Sequence, residues 1–265
     1  MAKRIIIYGP SKIGISRFLA ENKSAIFIDT FNSLGHLNVK TSKDGSSFES
    51  VCESIDTLIL SNTNTPEKYR YDTIVIDHLM GLERLIYKHV CEANNIVDIE
   101  YLKYGKGHHL AFIELQRFLE KLDCLANHAV KPVNIIIAAH STIENYTTLY
   151  QENTARSVLA TTIKPPKENV SEYLKIWSDG LFYADNYRTI TGGYFSSTEI
   201  DLGPSATSIF TTAMPNFDAG TRFAMEGPIP MIWECFSGAL NWVEKIPESV
   251  YASTAEKEEE NGNTR

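Results

Sequence analysis

The chain has 265 residues, of which 43% are hydrophobic and 22% charged, and its net charge is −8. This length suits one large α/β domain, and the composition excludes a fibrous or largely disordered chain. The four cysteines include no CxxC pair, which argues against a zinc site and a disulfide scaffold and favours a reducing cytoplasm. The first apolar run is too short for a signal peptide or a membrane span, so we expect a cytoplasmic protein without membrane contact.

The first predicted element is a strand that leads into a glycine-bounded loop. The apolar run Ile5–Tyr8 predicts a buried strand, and a helical pattern begins at Ser16. Such a loop cradles phosphate, because backbone N–H groups and the helix dipole point at the anion. Its frame is that of the P-loop, G-x-x-x-x-G-K-[ST], with isoleucine in place of the lysine. On its own the pattern also fits a plain turn. The predicted nucleotide-binding residues are Gly9, Pro10, Ser11, Lys12, Ile13, Gly14, Ile15 and Ser16.

A second apolar strand supplies the other half of a nucleotide site. Residues 71–77 read YDTIVID and place Asp77 at the carboxyl end, where a Walker B carboxylate holds Mg²⁺ through water. The hydroxyl of Ser16 is the second predicted metal ligand. A strand cap at Asp77 and a helix N-cap at Ser16 are the alternative interpretations. Together, the two halves predict a site for ATP and Mg²⁺.

The remaining pattern alternates strands with helices, which indicates a parallel sheet with right-handed crossovers. Ligands of such sheets bind beyond the carboxyl ends of the strands. The P-loop, Asp29, Asp77 and His140 all fall at that edge. Strands are predicted at 25–29, 133–139 and 180–184, and helices at 46–60, 79–94, 107–129 and 170–177.

The last third of the chain is more polar. Residues 142–167 predict a long loop, with short strands as an option, and 187–225 predict an antiparallel extension of the sheet before a helix at 231–243. In recombinases, mobile loops with basic and aromatic groups bind single-stranded DNA. The predicted loop at 142–167 fits this role, and an ordinary surface loop without DNA contact fits its sequence equally well. The acidic tail, 246–265, is expected to be disordered, which leaves 1–245 as a single domain. The candidate DNA-contacting residues are Tyr146, Tyr150, Arg156, Lys164 and Lys167.

Five further segments occur in a recognisable order: FIDTF at 27–31, VID at 75–77, YGKG at 104–107, AAHS at 138–141 and AGTR at 219–222. With the P-loop, they resemble the phage-encoded RecA-like nucleotide-binding proteins, minimal recombinase-core ATPases of single-strand annealing and recombination. The resemblance covers about 5–240. It implies a RecA-like P-loop NTPase core with helices on both faces of the sheet, ATP with Mg²⁺, single-stranded DNA, a homo-oligomer and a recombination protein as partner. It also implies catalytic roles for His140 and Arg222.

Three departures from the family pattern carry most of the functional information. The P-loop lysine falls at Ile15, the water-activating glutamate at Phe31 and a lysine lent to the neighbouring subunit at Gly220. Phosphoryl transfer depends on positioning and charge stabilisation, and one trans cation contributes ~10³–10⁵ in rate. We therefore expect ATP hydrolysis to be weak or lost.

Two other functions stay open from the sequence. The first is an active Mg²⁺-dependent ATPase that uses an atypical P-loop. Lys12 is a candidate for the cation that the loop lacks, and a side chain that points to solvent is the alternative interpretation. The second is a non-catalytic interaction protein that binds a recombination factor and no nucleotide.

Overall fold

The computed structural model describes residues 2–42, 45–65, 71–146, 154–186 and 207–242. The predicted acidic tail, residues 187–206 of the predicted extension and Tyr150 lie outside them. The strands are β1 (Arg4–Gly9), β2 (Ala25–Asp29), β3 (Lys40–Thr41), β4 (Thr73–Asp77), β5 (Asn134–Tyr146), β6 (Thr154–Leu159), β7 (Gly180–Asn186), β8 (Thr207–Phe210), β9 (Gly220–Thr221) and β10 (Ile229–Pro230). The helices are α1 (Ile15–Leu19), α2 (Phe48–Asn64), α3 (Leu79–Ala93), α4 (Lys106–Ala126), α5 (Val170–Trp177) and α6 (Trp233–Trp242).

The central sheet has the strand order β10-β8-β7-β1-β5-β4-β2-β3. The strands from β7 to β3 are parallel, whereas β8 and β9 pair with β7, and β10 with β8, in antiparallel fashion. This confirms the predicted fold class, a mostly parallel α/β sheet with a C-terminal antiparallel extension. Strand β5 lies between β1, which leads into the P-loop, and β4, which ends at Asp77.

Helices cover both faces of the sheet. Along β1, Ile6 and Tyr8 pack into the core formed with α2, α3, α4 and α5, whereas Ile5 and Ile7 pack into the core formed with α1 and α6. This division follows from the strand geometry, in which successive side chains point to opposite faces. Because both faces are covered, the central strands are continuous apolar runs, which made them readable in the sequence.

Strand β5 is longer than the sequence predicted. It continues beyond the sheet edge and pairs with β6 in an antiparallel hairpin, from Ser141 opposite Leu159 to Tyr146 opposite Thr154. The expected long loop is therefore partly strand, which was the second option. Much of the hairpin is exposed to solvent, and Ile143 is 72% exposed. The sequence of the hairpin therefore lacks the continuous apolar run that marks a buried strand. It projects from the edge at which the P-loop lies, since Gly9 is the register partner of His140.

A buried carboxylate attaches the segment after β6 to α3. Glu83 is 0% exposed, and burial raises its pKa. Its Oε2 accepts hydrogen bonds from the N–H and hydroxyl of Thr162 at 2.9 and 2.8 Å, and its Oε1 accepts one from the N–H of Ile163 at 3.4 Å. These bonds are the compensation for burying the carboxylate.

We expect Glu83→Ala to lower the free energy of unfolding by about 2–4 kcal/mol, because it leaves buried donors without acceptors. The matched control is Glu92→Ala on the same helix, where the carboxylate is 61% exposed and pairs with Lys88. That change should cost less than about 1 kcal/mol. Urea denaturation of both variants measures the difference, and equal stability of the two would contradict the role of Glu83.

Candidate nucleotide site

The P-loop shape is retained, but its cation is replaced by an apolar side chain. Gly9 is required because a Cβ there would collide with the carbonyl of Ala184. Gly14 precedes α1 with φ of 106°, a conformation that favours glycine. At the lysine position, Ile15 is 7% exposed and packs in the core shared with α6. The lysine has thus been exchanged for a core residue.

The two predicted metal ligands meet directly. The hydroxyl of Ser16 donates a hydrogen bond of 2.8 Å to Oδ1 of Asp77. Asp77 is 2% exposed, and burial raises its pKa to about 6 against the effect of the Ser16 bond, with the charge of Asp29 raising it further. A hydroxyl and a carboxylate are hard oxygen ligands that suit Mg²⁺, which takes few protein ligands and completes its shell with water and phosphate oxygens. Ser16 and Asp77 are the residues that would hold it.

Two histidines with closely packed, mutually tilted rings line the site between the P-loop and Asp77. The ring centroids of His78 and His140 are 3.9 Å apart. Burial, and next the neighbouring His140, lower the pKa of His78 to about 3, and the carbonyl of Ala139 opposes this only weakly. Burial also lowers the pKa of His140. Nδ1 of His78 accepts from the N–H of Met80, whereas His78 Nε2 and His140 Nδ1 make no well-formed hydrogen bond within the described residues.

The position of the family's glutamate is occupied by an aromatic ring that is turned onto α3. Phe31 is 36% exposed and lies against Gly81. The guanidinium of Arg84 lies over its ring, 5.3 Å from the ring centroid. The nearby carboxylate of Asp29 does not replace the glutamate. It accepts the N–H groups of Phe31, Ser33 and Leu34 in its own turn.

A cavity of about 620 Å³ joins these elements. Seven of the predicted site residues line it, namely Pro10, Lys12, Ile13, Gly14, Ile15, Ser16 and His140. Gly9, Ser11 and Asp77 do not line the cavity, but Asp77 is hydrogen-bonded to Ser16, which does. The cavity is also lined by residues that no sequence motif indicated, namely Arg17, Phe18, Glu21, His36, His78, Thr207 and Met231. Adjacency to the two motifs could have indicated His78 and Arg17, whereas nothing local indicates Thr207 or Met231.

The C-terminal segment forms one wall of this cavity. The methyl group of Met231 lies close to Gly14, and the N–H of Trp233 donates to Oε2 of Glu21 at 2.8 Å. Phe18 of α1 packs on the rings of Trp233 and Phe236 at 5.7 and 5.6 Å. The loop and α6 are thereby joined by both polar and aromatic contacts.

Arg222 lies away from the site. Its guanidinium donates to Asp179 Oδ1 and to the carbonyl of Ile176, both at 2.8 Å. Asp179 also binds Arg4 at the start of β1, so Arg222 occupies the amino edge of the sheet, opposite the P-loop. The structure thus does not bring Arg222 to His140 within one chain, and a contribution to a neighbouring subunit stays a prediction.

A larger groove, of about 1280 Å³, runs along the hairpin and α5 and is lined in part by Arg222. Two of its cations are already paired, because Arg156 and Lys175 share Asp218 and Lys175 also pairs with Glu172. The motifs that indicate phosphate binding lie at the smaller cavity, which we therefore regard as the candidate site. Among the described residues no group of three or more His, Cys, Asp or Glu side chains is arranged to hold a metal by itself.

Comparison with known families identifies the chain. A family described as an AAA domain matches residues 1–223. The chain belongs to this AAA-domain family. Its fold is that of a P-loop NTPase, and family members generally bind nucleotide with Mg²⁺. The comparison with curated proteins found no match.

Among solved structures, the chain is similar to an ATPase from the type III secretion system of pathogenic bacteria. The TM-score is 0.44 and the identity 10%, over 69% of this chain and 52% of the other. The chain thus spans about half the length of that ATPase, and a likeness of this size carries no functional argument. Within the described part of the chain, no helix combines the length and the apolar character needed to cross a bilayer.

We expect Asp77→Asn to stabilise the ligand-free protein at pH 8 by up to about 3 kcal/mol, because it removes a buried charge. The folded-state pKa of about 6 exceeds the unfolded value. The charge therefore penalises the folded state fully above pH 6, and the penalty fades as the pH falls towards the unfolded pKa. Chemical denaturation at pH 8 and pH 4.5 should show the advantage shrinking at the lower pH. An unchanged difference between the two pH values would contradict the assignment.

Proposed function

We propose that this AAA-domain protein binds ATP with Mg²⁺ at the cavity beside the P-loop. The observation that carries the proposal is the 2.8 Å hydrogen bond from Ser16 to the buried carboxylate of Asp77. It joins the hydroxyl and carboxylate that P-loop proteins use for the metal, at the carboxyl edge of a parallel sheet. When bound, Mg²⁺ would neutralise phosphate charge beside a carboxylate that otherwise has a single hydrogen-bond partner among the described side chains.

We further propose that hydrolysis is weak or lost. Ile15 is part of the core, Phe31 is turned onto α3, and Gly220 has no side chain. Each change removes a group that stabilises charge or orients water in the transition state. His140 is still in the cavity, but a single imidazole does not replace a cation and a carboxylate. The balance favours binding over turnover.

The proposal is tested by measuring MgATP binding and phosphate release on the same protein sample. MgATP at saturating concentration should raise the melting temperature, because a ligand that binds only the folded state stabilises it. A coupled phosphate assay on the same sample should show release at least about 10³-fold slower than an ordinary kinase-like rate of 1–100 s⁻¹. Asp77→Ala should abolish the thermal shift.

One observation favours an active ATPase as a second candidate. The cavity retains two cations, Lys12 and Arg17. Fast phosphate release that Asp77→Ala abolishes would establish that function and refute the proposed loss of hydrolysis. No thermal shift with MgATP would instead favour the nucleotide-free interaction protein.

For the biological role, we propose phage DNA recombination or single-strand annealing, as a homo-oligomer that contacts single-stranded DNA and a recombination partner. The support is the family resemblance and the hairpin, which projects from the nucleotide edge. Two exposed lysines, Lys164 and Lys167, follow the hairpin. Basic groups near an exposed hairpin suit contact with a nucleic acid backbone.

Binding of single-stranded DNA should be salt-dependent, with a log–log slope of about −0.7 for each phosphate neutralised. In fluorescence anisotropy with a labelled oligonucleotide, the double change Lys164→Ala and Lys167→Ala should weaken binding and reduce that slope. Lys88→Ala, at an exposed position of α3, is the matched control and should leave both unchanged. Binding that is insensitive to salt, or equally affected by the control, would contradict the DNA-binding role.

A further inference from the structure

We propose that Lys12 supplies the phosphate cation that the P-loop has lost at Ile15. The inference rests on the proposed nucleotide binding and assigns a specific role within that site. Lys12 and Arg17 are the lysine and arginine side chains that line the cavity in the described part of the chain. The third nearby charge, Glu21, is engaged by the N–H of Trp233.

The backbone of Lys12 has an unusual conformation. Its φ is 67°, in the left-handed region. The turn of the loop therefore bears a long cationic side chain. Such a conformation is uncommon for a lysine, and residues held in it cluster at ligand sites. Lys12 is also exposed, so its ammonium group is not fixed in the core.

The starting point of the side chain distinguishes Lys12 from Arg17. A P-loop wraps the phosphates between its first glycine and its hydroxyl residue, here Gly9 and Ser16. Lys12 lies in the middle of that loop, whereas Arg17 follows it and belongs to α1. The Lys12 side chain therefore starts within the segment whose backbone N–H groups would wrap the phosphates, and it lines the cavity. The lysine stem is flexible enough to bring a compact positive charge to them.

An independent feature of the same cavity also indicates an occupant. His78 is 8% exposed and lines the cavity, yet its Nε2 has no well-formed hydrogen bond within the described residues. Buried polar atoms normally have partners, and a ligand or water bound in the cavity would supply one for this nitrogen. The cavity thus offers both a polar inner wall and a cation at the loop.

The experiment is isothermal titration calorimetry of the full chain with MgATP, MgADP and AMP. Lys12→Gln removes the charge and keeps most of the side-chain length, whereas Lys12→Arg keeps the charge. Lys23→Gln is the matched control, because Lys23 is exposed just beyond α1, bonds to the carbonyl of Ala20 and does not line the cavity. Thermal unfolding without nucleotide verifies that each variant is folded.

We expect Lys12→Gln to weaken MgATP binding by about 10- to 100-fold, the usual loss for a charged hydrogen bond. The loss should be smaller for MgADP and smallest for AMP, since the charge faces the phosphates. Lys12→Arg should retain most of the affinity, and Lys23→Gln all of it. This pattern would support the inference.

Two outcomes overturn it and are distinguishable. If the unchanged protein binds MgATP but Lys12→Gln binds it equally well, the assignment of Lys12 is wrong and nucleotide binding stands; a loss confined to Arg17→Gln would then transfer the role to Arg17. If the unchanged protein binds no nucleotide, the proposed function fails and the role of Lys12 fails with it.

Discussion

The structure around the candidate site depends on one buried carboxylate. Asp77 ends a central strand, is almost inaccessible to solvent and accepts a hydrogen bond from Ser16. A buried carboxylate is costly unless it is paired, and one hydroxyl satisfies only part of its hydrogen-bonding capacity. The pKa of Asp77 is raised because burial is only partly compensated by the Ser16 hydrogen bond. The contact joins the P-loop to β4, and a cation bound at this position would complete the compensation.

The charges around the cavity are distributed differently from those of an ordinary P-loop enzyme. Its inner wall is neutral or apolar, with Ile15 in the core and the paired rings of His78 and His140. Its cations, Lys12 and Arg17, are exposed at the loop and α1. Affinity for a triphosphate requires positive charge nearby, whereas hydrolysis requires groups at the atoms where charge develops. This distribution of charge is the basis for the proposed binding without turnover.

The two edges of the sheet hold different sets of contacts. At the amino edge, Asp179 binds both Arg4 and Arg222, which ties the first strand to the segment before α6. At the carboxyl edge, the same C-terminal part of the chain contributes Met231 and Trp233 to the nucleotide cavity. Residues distant in sequence thus complete the wall of the candidate cavity, and their contacts join the C-terminal segment to the P-loop.

The sequence alone determined the parallel sheet and the relation between the P-loop and Asp77. Strands buried on both faces are continuous apolar runs, and the prediction for β2, 25–29, coincides with the observed strand. Motif order similarly indicated that Ser16 would approach Asp77. The hairpin of β5 and β6 was less evident, because its solvated residues lack an apolar pattern. Only the tertiary structure placed Thr207 and Met231 in the cavity, turned Phe31 onto α3 and attached Arg222 to Asp179. Those are long-range contacts that depend on how the elements pack, and packing between distant residues leaves no periodic signal in the chain.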